Sequence, residues 1–305
     1  CLYSRRGSGN SADPKQALWV VVYVDDCLMV GTKTLVDGFK QELTERFKMR
    51  HHGPISTFTG MEFSRNRGNR SGTISMEKYI DTLVSEFLTP GFKPNASPST
   101  DHDAFTFEDA PKTEAERDEM KKFPYRRMVA CLLWVATTVR SDVAFPVKKL
   151  TQHFNNPGIK MWKSAMKTLV YLKTNPRKLQ YSRTKKGDLP SLKVYVDSDF
   201  AADRDTRKST SGVSAFHNTN MVNWFVKNQK SVALSTMEAE YMALCEATKE
   251  ALYLKQLFTE IGMMLPDEPV LIMEDNQACK LISRDAQHHT RAKHIDVQYH
   301  FSREA

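Results

Sequence analysis

The chain has 305 residues, 40% of them apolar and 26% charged, a mixture that supports packed cores and argues against wholesale disorder. No apolar run approaches the ~20 residues of a membrane span, so no membrane partner is expected. Five scattered cysteines without a C-x-x-C pair disfavour a disulfide framework and a thiolate zinc site, and point to a reducing intracellular compartment, cytoplasmic or nuclear rather than secreted. The net charge of +8 is segregated: 121–190 carries 16 Lys and Arg against two acids, Asp142 and Asp188. The length is that of about two domains.

In chain order, Leu18-Trp19-Val20-Val21-Val22-Tyr23-Val24 is a β-branched and aromatic run, which predicts a buried strand. Asp25-Asp26 and then Cys27-Leu28-Met29-Val30 make it a hairpin with two carboxylates at its turn. Such a pair at the mouth of a sheet can hold divalent metal for phosphoryl chemistry, although an Asp turn is more often only a turn. Between 101 and 119 eight acids stand against Lys112 and Arg117, and with Pro94, Pro98 and Pro111 this predicts an acidic linker.

In the basic segment, Asn156-Pro157 is a helix start by residue type. Trp162, Ala165, Met166, Leu169 and Leu172 then fall on one face, with Lys160, Lys163 and Lys167 opposite. A lysine stripe backed by a packed face suits a phosphate backbone. A solvated surface is the commoner meaning of one stripe, but the local excess of positive charge favours a polyanion partner.

Further on, 192–196 alternates as a strand and leads into Asp197; 212–216 and 221–226 read as two more strands of a meander. Ser235-Thr236-Met237-Glu238 fits a capping box opening a long helix that carries Glu240 and ends at Gly262. The run 270–273 is a short strand, Asp275 comes next, and Asn276 begins another helix. Asp197, Glu240 and Asp275 thus sit on three separate elements that a layered sheet-and-helix domain can bring to one sheet edge. Clustered carboxylates call for a divalent cation, and oxygen ligands favour Mg²⁺, but separate acids are usually surface residues. Arg207 and Lys208 beside Ser209, Thr210 and Ser211 suit an RNA–DNA hybrid, and suit an ordinary loop nearly as well. His288, His289, His294 and His300 read as basic surface rather than a zinc site, since His294 and His300 are not at helix-face spacing. Trp224, Cys245 and Cys279 read as buried packing residues, with base stacking the alternative for Trp224.

Tyr23-Val24-Asp25-Asp26 resembles the Y-V-D-D box of reverse transcriptases. Gly60-Met61-Glu62-Phe63, Tyr125-Arg126 and Arg140-Ser141-Asp142-Val143-Ala144 resemble the stretch after that box in copia-type long-terminal-repeat retrotransposon Pol polyproteins. The words Asp197-Ser198-Asp199-Phe200-Ala201, Ser235-Thr236-Met237-Glu238-Ala239-Glu240-Tyr241, Asp275-Asn276-Gln277-Ala278 and Lys293-His294-Ile295-Asp296 look like that family's ribonuclease H domain. The resemblance implies a mixed α/β chain in four parts: a reverse transcriptase palm remnant (1–100), the acidic linker (101–124), a basic helical thumb or connection (125–190), and a C-terminally truncated ribonuclease H-like domain (191–305). It implies that Asp197, Glu240 and Asp275 are three of four metal-binding carboxylates, with Asp296 a possible fourth, and that Asp199 and Glu238 are structural. Two Mg²⁺ ions are the implied cofactors, with Mn²⁺ as substitute. The implied partners are nucleic acid, as RNA–DNA hybrid or template-primer, and the remainder of the Pol polyprotein.

In the family another catalytic aspartate precedes the Y-V-D-D box, and only Asp13 is available here. The expectation is that this chain is a piece of a longer protein, does not polymerise alone, and carries Asp25 and Asp26 as relics of that site or as half of one completed by sequence outside it. The parent activity that the resemblance implies is RNA-templated DNA synthesis with removal of RNA from the hybrid. The alternative is a catalytically inactive nucleic-acid-binding remnant.

Overall fold

A strand rich in Val and aromatic residues needs partners on both edges, and the first sheet supplies them. The computed structural model describes residues 1–6, 17–98, 105–184, 191–277 and 279–280. In it β1 (Leu2–Arg6), β2 (Ala17–Tyr23) and β3 (Asp26–Val30) form an antiparallel sheet with β2 in the centre. Tyr23 pairs with Asp26, so Val24 and Asp25 form a two-residue turn. Val24 stands at φ +52 and is 82% exposed. This left-handed conformation suits a tight hairpin and is unfavourable for a β-branched residue. Helix α1 (Lys33–Arg46) comes next, and Glu42 on it holds Arg5 of β1 with two hydrogen bonds of 2.7 and 2.8 Å.

The second sheet draws on distant parts of the chain. Strands β4 (Thr57–Phe58), β5 (Met61–Asn66) and β6 (Ser71–Ser75) form a meander that leads into α2 (Glu77–Phe87). Helices α3 (Glu114–Lys121), α4 (Tyr125–Thr138), α5 (Ala144–Thr151) and α6 (Ile159–Thr174) come next, and β7 (Leu179–Ser182) then pairs antiparallel with β6, Leu179 opposite Ile74. One apolar core joins Ile80 and Leu83 of α2 to Leu132 of α4, Leu150 of α5 and Leu169 of α6. This core draws on residues on both sides of position 100.

The described part of the expected acidic linker is folded. Phe105 and Met120 are buried. Asp109 accepts the Thr106 amide and caps a 3-10 turn at Phe107–Asp109; Thr113 and Glu116 form a reciprocal capping box on α3. Acids at helix starts satisfy free amides and favour the helix dipole, so the composition that reads as linker is here a composition of caps.

Helix α6 begins at Ile159, two residues later than Asn156-Pro157 predicts. Gly158 caps it where a Cβ would overlap the carbonyl oxygen of Asp109; close packing of two backbones, not capping chemistry, sets that start. The predicted apolar face of α6 is buried at Ala165, Leu169 and Leu172, and Lys160, Lys163 and Lys167 are exposed.

The core also holds a charged group. Arg140, 1% exposed, donates to both carboxylate oxygens of Asp142 at 2.9 and 2.8 Å and to the Leu172 carbonyl. The Tyr171 hydroxyl also donates to Asp142. The end of α4 is thereby tied to the last turn of α6.

The third sheet has the order β10-β9-β8-β11. Strands β8 (Leu192–Asp199), β9 (Thr210–His217) and β10 (Asn220–Asn228) are antiparallel; β11 (Leu271–Met273) is parallel to β8. The β9–β10 turn places Asn218 at φ +56, as its residue type allows. Because parallel neighbours need a crossover, the long α7 (Thr236–Glu260) runs between β10 and β11 and buries Leu244, Ala247 and Leu254 against Val194, Val213 and Ala215. The Ser235 hydroxyl accepts the Glu238 amide, as the capping box predicts, but the Glu238 carboxylate reaches the Leu234 amide rather than that of Ser235.

This sheet leans on the helical unit. The Trp224 indole on β10 donates to the Ala136 carbonyl at 2.8 Å, Gln152 donates to Asp203, and the Phe107 amide donates to Asp205. No helix among the described residues is long and apolar enough to cross a membrane.

Candidate metal centre

The parallel pairing of β8 with β11 builds the site. Tyr195 lies opposite Met273, the last residue of β11. Asp197 stands two residues further along β8, which continues to Asp199, and Asp275 stands two residues past the end of β11, so both acids lie at the same end of this strand pair. Glu240 comes from the second turn of α7, which packs on β8 and β9. One carboxylate oxygen from each of Asp197, Glu240 and Asp275 lies within 4.8 Å of the other two. Asp197 and Asp275 are exposed, and Glu240 is 8% exposed.

Burial raises Glu240 to about 7; the Ser198 hydroxyl opposes the rise, and the charges of Glu274, Asp197 and Asp275 add to it. Its Oε2 is buried without a hydrogen-bond partner. Glu274 is the acid that sequence reasoning missed. It precedes Asp275, is 8% exposed, accepts the Asn276 amide at 2.9 Å through Oε1, and has a buried Oε2 without a partner. Burial raises its pKa, and the charges of Asp275 and Asp197 add to this. The only sequence signal was its adjacency to Asp275 at a strand end.

Three acids within ligand reach of one another, one of them buried with an orphaned oxygen, are poorly placed without a cation and well placed with one; Glu274 lies outside that trio. The donors are all carboxylate oxygens, a set that suits a hard divalent ion better than zinc. Nearby Cys279 is a buried thiol pushed up to about 12, chiefly by burial, so it stays neutral and packs rather than attacks.

The other predicted residues lie elsewhere. Asp25 and Asp26 are exposed at the β2–β3 turn, and among the described residues no third acid, His or Cys joins them within ligand reach. Asp199 is exposed at the end of β8, outside the trio. Glu238 is buried and serves as a cap. Arg207 is exposed in the 203–208 loop at φ +57, and Lys208 is half-buried there. Lys160 pairs with Asp109 at 3.2 Å. Trp224 is half-buried and bonded to α4, which accounts for it without base stacking. Asp296, Asp13 and the four histidines at 288–300 lie outside the described residues.

Residues 3–101, which include the aspartate hairpin, match the family described as reverse transcriptase (RNA-dependent DNA polymerase). The whole chain aligns at 35% identity with 22% of the retrovirus-related Pol polyprotein from transposon TNT 1-94 of Nicotiana tabacum. This chain belongs to the copia-type retrotransposon Pol polyproteins. Its likeness to the Pol polyprotein from transposon RE2 of Arabidopsis thaliana is 30% over 95% of this chain and 19% of that protein. A putative transposon Ty5-1 protein of Saccharomyces cerevisiae is 29% identical over 76% of this chain and 73% of its own length. The chain spans about a fifth of the length of the Pol polyproteins it matches. In this Pol family member the Asp197–Glu240–Asp275 cluster lies beyond the stretch matched to reverse transcriptase.

Proposed function

We propose that this chain carries the last strands of a Pol polymerase palm, a basic connecting unit, and a ribonuclease H-like centre that hydrolyses the RNA strand of RNA–DNA hybrids. The observation that carries the nuclease reading is the meeting of Asp197, Glu240 and Asp275, up to 78 residues apart in sequence, at the strand-end edge of a mixed sheet. Asp197, Glu240 and Asp275 would hold divalent ions, Mg²⁺ or in its place Mn²⁺. Those ions would activate water and stabilise the leaving oxygen of the cut phosphodiester. The protein's part is to fix the carboxylates on three rigid elements and to keep Glu240 out of bulk water, where its charge acts more strongly.

The basic surface supplies the substrate side of the reading. The 3-10 turn at Phe107–Asp109 touches both the loop that carries Arg207 and Lys208, through Asp205, and the start of the α6 lysine face, through Lys160. Lys160, Lys163, Lys167, Arg207 and Lys208 would follow the phosphate backbone, which predicts binding that weakens steeply with salt. Asp25 and Asp26 would belong to the polymerase site of the parent Pol protein, with further carboxylates required to complete it.

The test is cleavage of a labelled RNA–DNA hybrid by the full chain with Mg²⁺ or Mn²⁺. Cleavage that disappears in D197N and in E240Q is the expected result. An intact hybrid with either ion refutes the nuclease reading. If the hybrid is nevertheless bound with salt-sensitive affinity that D197N leaves unchanged, the exposed lysine face of α6 supports the second reading, a catalytically inactive binding remnant.

A further inference from the structure

The first turn of α7, which leads directly into Glu240, is only weakly held by apolar packing. The helix joins the main core under β8 and β9 from Tyr241 onward, whereas Ala239 belongs to a separate small cluster with Ala233 and Met242. A polar group ties this turn to the sheet. Gln229, which follows the last residue of β10, is 7% exposed. Its Nε2 donates to the Ala239 carbonyl at 2.8 Å and to the Ser211 hydroxyl at 3.0 Å. Its own backbone amide donates to the Ser209 carbonyl at 2.8 Å, just ahead of β9. A backbone carbonyl only accepts, so the contact with Ala239 fixes which end of the side-chain amide is nitrogen.

Both acceptors sit beside the acids of the centre. Ala239 is the residue before Glu240, and Ser211 lies opposite Ser198, the residue after Asp197. Gln229 therefore spans from the helix that carries Glu240 to the strand pair that carries Asp197. A buried amide is costly unless its donors are met, and this one meets both of them across that gap. Small hard divalent ions accept a narrow range of ligand distances, so carboxylates on separate elements bind well only when their spacing is held.

We propose that Gln229 is a positioning residue of this centre: by tying the first turn of α7 to β9, it sets how far Glu240 stands from Asp197 and Asp275. This rests on the cation reading of those three acids. Gln229 does not itself ligate the ion; it acts through the Ala239 backbone.

The experiment is binding of Mn²⁺ alone to the full chain, measured by calorimetry and by loss of the free-ion EPR signal, for wild type, Q229M, G158A and D197N. Methionine keeps the length of the side chain and fills its space but cannot donate. The expected result is an affinity roughly tenfold weaker in Q229M, with far-UV circular dichroism unchanged. G158A, which disturbs the start of α6, should bind like wild type although it melts earlier. Equal affinity in Q229M and wild type, with D197N weakened, overturns this inference and leaves the three-acid centre standing. Equal weakening in Q229M and G158A also overturns it, because the loss then follows stability and not position. No binding by wild type, or binding that D197N leaves unchanged, overturns the cation reading and this inference with it. Should Q229M fail to fold, Q229N decides: its amide is drawn back by one methylene from both acceptors, so weaker binding than wild type supports the proposal and equal binding overturns it.

Discussion

Asp142→Asn probes the pair that joins α4 to α6. Arg140 is almost wholly buried and its charge is met by one carboxylate. The substitution keeps the shape and removes the counter-charge; it also places an amide donor against guanidinium and tyrosine donors. Leaving a buried charge unmatched costs about 3–5 kcal/mol. The Asp142 side chain is one-fifth exposed, so water tempers the loss and the lower end, about 3 kcal/mol, is expected. Arg177 approaches the same carboxylate at 3.7 Å from a largely exposed position, so R177A should cost less than about 1 kcal/mol. The assay is urea unfolding followed by tryptophan fluorescence, since Trp134 and Trp162 pack against this core. Burial alone would raise the Asp142 carboxyl, but the Arg140 guanidinium, the Tyr171 hydroxyl and Arg177 outweigh it and hold it below the ordinary range. Its contribution is therefore present above the unfolded-state pKa of about 3.9 and lost as the pH falls through the lower folded value. A D142N midpoint within error of wild type, or one no lower than that of R177A, refutes the reasoning.

Gly158→Ala should destabilise by about 1–3 kcal/mol, because the new methyl meets the Asp109 backbone and not a side chain that could turn away; an unchanged melting temperature contradicts this. Glu240 gives a pH signature in metal-free buffer. Its folded value of about 7 lies above the unfolded one of about 4.3, so the stability from its protonated form is complete below the latter and lost as the pH rises through the former. Wild type should therefore lose stability relative to E240Q between these values, and added Mn²⁺ should restore wild type alone. A difference independent of pH disproves the shift.

The strand-strand-strand-helix-strand order of 192–273 was legible because each element announces itself locally. Period-two alternation marks β8, Asn218-Thr219 marks a turn, and Ser235 with Glu238 marks the start of α7. The three site acids were legible for the same reason, each standing at a position its own element defines. Element boundaries held less well where a neighbour intervened, as at Gly158, where the Asp109 backbone decides what fits.

The amino-acid sequence by itself determined the kinds of element, the family likeness, and the candidate acids, since these rest on residue type and short-range spacing. Only the tertiary structure decided that β7 returns to β6 across more than a hundred residues and that the acid-rich 105–124 stretch caps and packs. It alone decided that Asp197, Glu240 and Asp275 meet, and that Glu274 is buried while its neighbour Asp275 stays exposed. Burial and long-range pairing depend on what the rest of the chain brings close, and no local pattern carries that information.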